Sequence, residues 1–138
     1  MKTTFIVLLF IYLSISVLAG LDLDEYEMAV YYMGFLWRNL EFEPAEGMDL
    51  EAIGQGHLEN IEMLANAGKL LIAGPFARTG DPENDRLAGI FIFSVETLEE
   101  AEELIAADPA VVAGIFTAEV RTWYGPQGLT YTGYQAPE

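Results

Sequence analysis

Between Asp49 and Phe76 a helical pattern runs almost directly into a strand pattern, and the chain's only histidine sits in the helical part. From about Asp49 to Ala67 the apolar residues Leu50, Ile53, Ile61 and Leu64 recur at three- and four-residue spacing, which predicts an amphipathic helix. His57 lies four residues after Ile53 and four before Ile61, so the imidazole falls on the core-facing stripe, where an aliphatic side chain is the default. Such a histidine calls for a hydrogen-bond partner. Glu51, Glu59, Asn60, Glu62 and Asn66 are assigned mostly to the wet side. Gly68 stops the helix, and Leu70-Leu71-Ile72-Ala73 is too short for another helix. It reads as a strand buried on both faces, ending where Gly74-Pro75 breaks the pattern.

The rest of the chain arranges itself around that unit. Residues 20–27 read as a linker. Met28 to Trp37, uncharged and rich in aromatic and branched residues, reads as a strand covered on both faces, with Gly34 marking a bend or a close approach. Arg38 to Asp49 is a loop, and Ala77 to Arg86 is a polar connection crowded with turn residues. Leu87 to Phe93 is a third strand. Val95 to Ala107 is a second helix with Leu98, Ala101, Leu104 and Ile105 inward and Glu99, Glu100, Glu102 and Glu103 as its wet face. Asp108-Pro109 ends it, Ala110 to Gly114 is a short turn, and Ile115 to Trp123 is the last strand. A domain over 28–124 and a tail over 125–138, with no period of its own, complete the division.

The order strand, helix, strand, strand, helix, strand is the split βαβ arrangement. It predicts an α+β, ferredoxin-like fold: a four-stranded antiparallel sheet with both helices on one face. The other face is left uncovered, which predicts a homodimer.

Composition narrows the function classes. The chain has 138 residues, 52 % of them hydrophobic, and no cysteine, which suits one domain able to bury its own core. Met1 to Ala19 has a short basic start, an uncharged apolar run and small residues before Gly20, the pattern of a secretory signal peptide. The apolar run is shorter than the ~20 residues of a usual membrane span. Export to a periplasmic or extracellular space follows, with no stable membrane insertion after cleavage; an uncleaved anchor is the other reading. Without cysteine a lipoprotein anchor is excluded. The formal charge is −16 from 22 acidic and 6 basic residues, and removing Lys2 with the leader gives 5 − 22 = −17. A field of that sign repels nucleic acid. It also opposes anionic small molecules unless Arg38, Lys69, Arg78, Arg86 or Arg121 are gathered around a pocket.

Few residues offer chemistry. There is no paired-cysteine or multi-histidine pattern, no phosphate-cradling glycine loop and no Gly-x-Ser-x-Gly elbow, so the reading assigns no metal site and no cofactor. His57 and Asp108 remain. The split βαβ topology puts the first helix and the segment after the second on one side of the sheet, where the two side chains can meet. An aspartate accepting from Nδ1–H would aim Nε2 into a cavity as general base or acid. Each residue also has a plain reading, as a satisfied core histidine and as an ordinary N-cap with proline at the first helical position. Arg38, Arg78 and Tyr32 are secondary candidates for substrate contact.

Taken together, the helical histidine, Gly68-Lys69-Leu70-Leu71-Ile72-Ala73-Gly74-Pro75-Phe76, Gly89 opening an apolar strand, Glu99-Glu100-Ala101, Asp108-Pro109-Ala110-Val111 with Ala113-Gly114, and a strand closing in Trp123 resemble the YCII-related (YciI-like) family. The resemblance covers about Val30 to Trp123. It implies a dimeric α/β barrel with an active site centred on a histidine and an aspartate, matching His57 and Asp108. One branch resembling this family is a dehydrochlorinase of a chlorinated hydroxyhydroquinone, and the wider superfamily holds muconolactone isomerases and small monooxygenases. Leader, acidic surface and tail depart from the usual pattern. The expectation is a small cofactor-independent enzyme of lyase or isomerase type acting on a small, cyclic or aromatic substrate. The alternative is a secreted ligand-binding or accessory module without turnover.

Overall fold

The computed structural model describes residues 27–130; the leader, the linker up to residue 26 and the tail from residue 131 lie outside the described residues. In chain order the elements are β1 (Met28–Arg38), α1 (Leu50–Asn66), β2 (Leu70–Pro75), a 3-10 turn (Asn84–Arg86), β3 (Leu87–Phe93), α2 (Leu98–Ala106), α3 (Pro109–Val112) and β4 (Phe116–Pro126). The strands lie in the order β2-β3-β1-β4, with every pairing antiparallel. This is the split βαβ arrangement. Among the described residues no helix is long and apolar enough to cross a membrane.

Both ends of α1 are fixed by local chemistry. The Asp49 carboxylate accepts from the Ala52 amide at 3.0 Å and caps the first turn. At the other end Gly68 takes φ +72°, and the Gly68 and Lys69 amides turn back to the carbonyls of Ala65 and Leu64. That pair of bonds is a Schellman closure, and it hands the chain to β2 within one residue.

The sheet's inner face carries the core. Tyr32, Gly34 and Leu36 of β1 stand opposite Phe93, Phe91 and Gly89 of β3, and the buried cluster joins Leu64, Leu70, Ala101 and Ile105 to them. Gly34 marks a close approach: a Cβ there would lie 2.5 Å from Ile105 Cδ1 and 3.3 Å from a Phe93 ring carbon. On the outer face Met33, Phe35, Trp37 and Ile90 are only half-buried beside Glu119, Arg121 and Trp123. β1 is therefore covered by helices on one face, not two.

Other boundaries differ from the sequence expectation for reasons of neighbourhood. β2 is an edge strand, so Ile72 is 39 % exposed and the run is not buried on both faces. The same edge position lets the strand continue through Gly74 and Pro75, because proline's missing N–H removes no ladder bond on an open side. β4, at the other edge, likewise runs past Trp123 to Pro126, so Tyr124–Pro126 belong to the sheet. α2 begins at Leu98, where Thr97 accepts from the Glu100 amide at 3.1 Å. The segment after Asp108 is a one-turn helix rather than a plain turn.

Candidate active site

Among the described residues Asp108 is the one buried acid, with no exposed surface. Its position follows from its neighbour in sequence: Pro109 begins α3, and the Asp108 carboxylate accepts from the Ala110 amide at 2.9 Å as the N-cap. α3 reaches α1 at Gly56, where an added Cβ would stand 3.3 Å from Pro109 Cγ. The side-chain-free position lets the short helix dock, and the next residue of α1 is His57.

His57 Nδ1 lies 2.9 Å from Asp108 Oδ1 and 2.8 Å from Oδ2, and Asn60 Nδ2 donates to Oδ2 at 2.9 Å. One carboxylate thus collects two side chains of α1, one turn apart, and the first amide of α3. Burial pushes the Asp108 carboxyl up, but the bonds from His57 and Asn60, the attraction of the His57 ring and the Ala110 amide together hold it below the ordinary carboxylate range. An ionised carboxylate only accepts, so Nδ1 must carry the proton. In the neutral ring Nε2 is then the basic nitrogen.

That nitrogen faces open space. Among the described residues nothing hydrogen-bonds Nε2, and no buried side-chain nitrogen or oxygen is left unsatisfied, so Nε2 is not sealed in. The His57 side chain is 19 % exposed. It borders a cavity of about 380 Å³ between α1 and the sheet, walled by Leu36, Ile61, Phe91, Ala88, Phe116 and the Ala73–Pro75 edge among others. His57 is its one titratable wall. The ring lies nearly parallel to Phe91, with centroids 6.0 Å apart, and tilted to Phe116 at 6.1 Å. Gly89 helps shape the floor, since a Cβ there would come within 2.6 Å of the Gly74 carbonyl oxygen.

The structure brings His57 and Asp108 together and puts the secondary candidates elsewhere. Tyr32 is in the core, its hydroxyl donating to the Glu96 carbonyl at 3.3 Å. Arg38 and Arg78 line a second hollow with Leu40, Gly80, Pro82 and Asp85. Asn60, assigned by its polarity to the wet side, instead turns to Asp108; its three-residue spacing from His57 was the available signal. No group of three or more metal-ligating side chains is gathered among the described residues.

Comparison with known proteins gives the following. The family described as the YCII-related domain matches residues 36–124, a span holding both His57 and Asp108. The chain is 31 % identical over 68 residues to the uncharacterized protein YjpA of Bacillus subtilis (strain 168), covering 49 % of this chain and 72 % of that protein. It is also similar to a solved structure of 5-chloro-2-hydroxyhydroquinone dehydrochlorinase (TftG) from Burkholderia phenoliruptrix AC1100 in complex with 2,5-dihydroxybenzoquinone. That likeness has a TM-score of 0.46 and 22 % identity, over 67 % of this chain and 92 % of the other.

Proposed function

The chain belongs to the YCII-related domain family, and from that premise we propose that it is a small-molecule enzyme in which His57 moves a proton on a substrate held in the apolar cavity. Asp108 is the positioning residue. It fixes the ring and the tautomer, so Nε2 takes a proton from one substrate carbon and delivers it to a different substrate atom, as in an isomerase, or to the group that leaves as the double bond forms, as in a lyase. The single observation behind this reading is the pairing of Nδ1 with a buried carboxylate while Nε2 is left unbonded at a cavity wall. The cavity's size and apolar walls suit a small cyclic or aromatic molecule.

A turnover screen on chlorinated hydroquinones and small lactones, the classes suggested by the family resemblance, tests it. His57→Ala is expected to lower kcat by roughly 10²-fold or more. Asp108→Asn is expected to lower kcat and change its pH profile, because an amide can donate to Nδ1 and select the wrong tautomer. Activity that survives both changes removes the mechanism. Binding without turnover in every variant would make the protein the ligand-binding module of the alternative reading.

A further inference from the structure

We infer that Arg38 and Arg78 form an anion-recognising extension of the His57 cavity, so that the molecule it takes carries a carboxylate at one end and an apolar ring at the other. The inference rests on the reading of that cavity as the substrate site.

Three strands carry the chain from one space into the next. Leu36 walls the cavity, and Arg38 stands two residues on along the same face of β1, roughly 6.6 Å away at strand rise. Pro75 walls the cavity at the end of β2, and Arg78 lines the hollow three residues later. Ala88 of β3 belongs to the cavity and Asp85, just before the strand, to the hollow. Phe116 links the two: it walls the cavity against the His57 ring and is the cross-strand partner of Arg38. Cross-strand partners have Cβ atoms about 5 Å apart. The hollow, of about 290 Å³, is thus lined by residues that lie within two or three positions of the cavity's walls on β1, β2 and β3, at one end of the sheet.

The charges there are arranged for a guest. Arg38 Nε donates to the Asp85 carbonyl at 2.9 Å, which orients the guanidinium and leaves its terminal amino groups uncommitted among the described residues. Neither Arg38 nor Arg78 makes an ion pair among the described residues, whereas Lys69 and Arg121 are paired with Glu100 and Glu119. Of the three arginines outside an ion pair among the described residues, Arg38, Arg78 and Arg86, the first two line this one hollow, in a chain with 22 acidic and 6 basic residues. The one carboxylate lining it, Asp85, is taken up by its own loop, accepting from the Thr79 amide and hydroxyl and the Gly80 amide. The Thr79 amide bond leads the causes that hold Asp85 below the usual carboxylate range, and Arg78 adds to them.

Function supplies the reason for such a site. An apolar cavity with one histidine cannot by itself orient a small ring toward Nε2, and a few convergent polar groups usually do so. Guanidinium forks match a carboxylate's geometry. They also give a net-negative protein the local positive potential that an anion needs in order to approach.

Titration of the full chain with benzoate, its neutral counterpart benzamide, and acetate, followed by NMR, tests the inference. Benzoate is expected to bind about tenfold tighter than either of the others, the effect of one charge-assisted contact, and to move both the His57 ring signals and the arginine side-chain signals. Arg78→Gln, at an exposed residue with no hydrogen bond to the rest of the fold among the described residues, is expected to reduce that preference without changing benzamide binding. Arg38→Gln with Arg78→Gln should abolish it. Benzamide binding as tightly as benzoate, acetate binding as tightly as benzoate, or a preference untouched by Arg78→Gln overturns the inference. The two readings fail separately: a benzoate preference with no turnover of any compound removes the enzyme and leaves the subsite, whereas His57-dependent turnover with no preference does the reverse.

Discussion

Two contacts between a nitrogen donor and a carboxylate close to the same distance in this protein, 2.8 Å: His57 with Asp108, and Lys69 with Glu100. The first joins α1 to α3 with side chains 19 % and 0 % exposed, and the second joins the start of β2 to the first turn of α2 with side chains 44 % and 32 % exposed. Asp108 also satisfies Asn60 and the Ala110 amide, so removing it strands three donors at a helix junction. Glu100 has water to replace Lys69. Distance therefore does not rank these contacts; burial and the number of dependent partners do.

The largest effect that can break this contrast is at Asp108. Asp108→Ala is expected to cost about 3 kcal/mol of stability, since it leaves the buried Ala110 amide and two part-buried side-chain donors without an acceptor and uncaps α3. Chemical denaturation measures it, and a loss no larger than that from Lys69→Met would show that burial is not the deciding variable. The pH dependence has a definite sign. A carboxyl lowered by folding contributes stability that is present above its unfolded value near ~3.9 and disappears as pH falls through the folded value. The gap between wild type and Asp108→Asn should therefore be full at neutral pH and narrow on acidification below about 4.

A smaller effect separates the junction's geometry from its hydrogen bonds. Gly54 and Gly56 lie in the same helix, but a Cβ at Gly54 meets nothing within 4 Å, while one at Gly56 meets Pro109 at 3.3 Å. Gly54→Ala is expected to stabilise the protein by up to about 1 kcal/mol through helix propensity. Gly56→Ala should forfeit that gain, because α3 must shift by a few tenths of an ångström, and lower kcat by roughly tenfold through misplacement of Asp108 against His57. Equal gains and unchanged turnover in both variants would mean that the docking of α3 is not what sets the pair.

What could be read beforehand, and what could not, divides along the same line. Helix α1 was legible because its apolar spacing and its Gly68 stop agree, and β3 because an apolar run sits between turn residues. His57 stood out as the one polar side chain on an apolar stripe, and Asp108 as the residue before a helix-starting proline. Asn60 did not, because periodicity assigns a flank to a residue without saying what occupies that flank, and here α3 does. The exposure of Ile72 was equally illegible: Leu70–Ala73 reads the same in a central or an edge strand, and strand order is decided by long-range pairing. Gly125 and Pro126, assigned to the tail for want of a period, join β4 because it is an edge strand.

The smallest expected effect is at the exposed pair. Glu100 is held below the ordinary carboxylate range first by its bond from Lys69, against the opposing pull of burial, and it also accepts from the Glu96 amide at 3.4 Å. Judged by distance alone, this pair should matter as much as the buried one. Both side chains are however more than about a third exposed or close to it, so water and ions screen the attraction and the ordering of two long side chains offsets it. Lys69 contributes more firmly through its backbone, whose amide closes α1 on the Leu64 carbonyl and whose carbonyl accepts from Ser94 at 2.9 Å, and a substitution keeps both bonds. An apolar residue one place beyond the closing glycine is moreover a favourable partner for the last turn of such a helix. Lys69→Met is thus expected to leave the unfolding midpoint unresolved from wild type at low salt as at high salt. A clear loss at low salt that vanishes at high salt would instead assign this surface pair a real share of the stability, and would make charge rather than burial the variable that separates the two junctions.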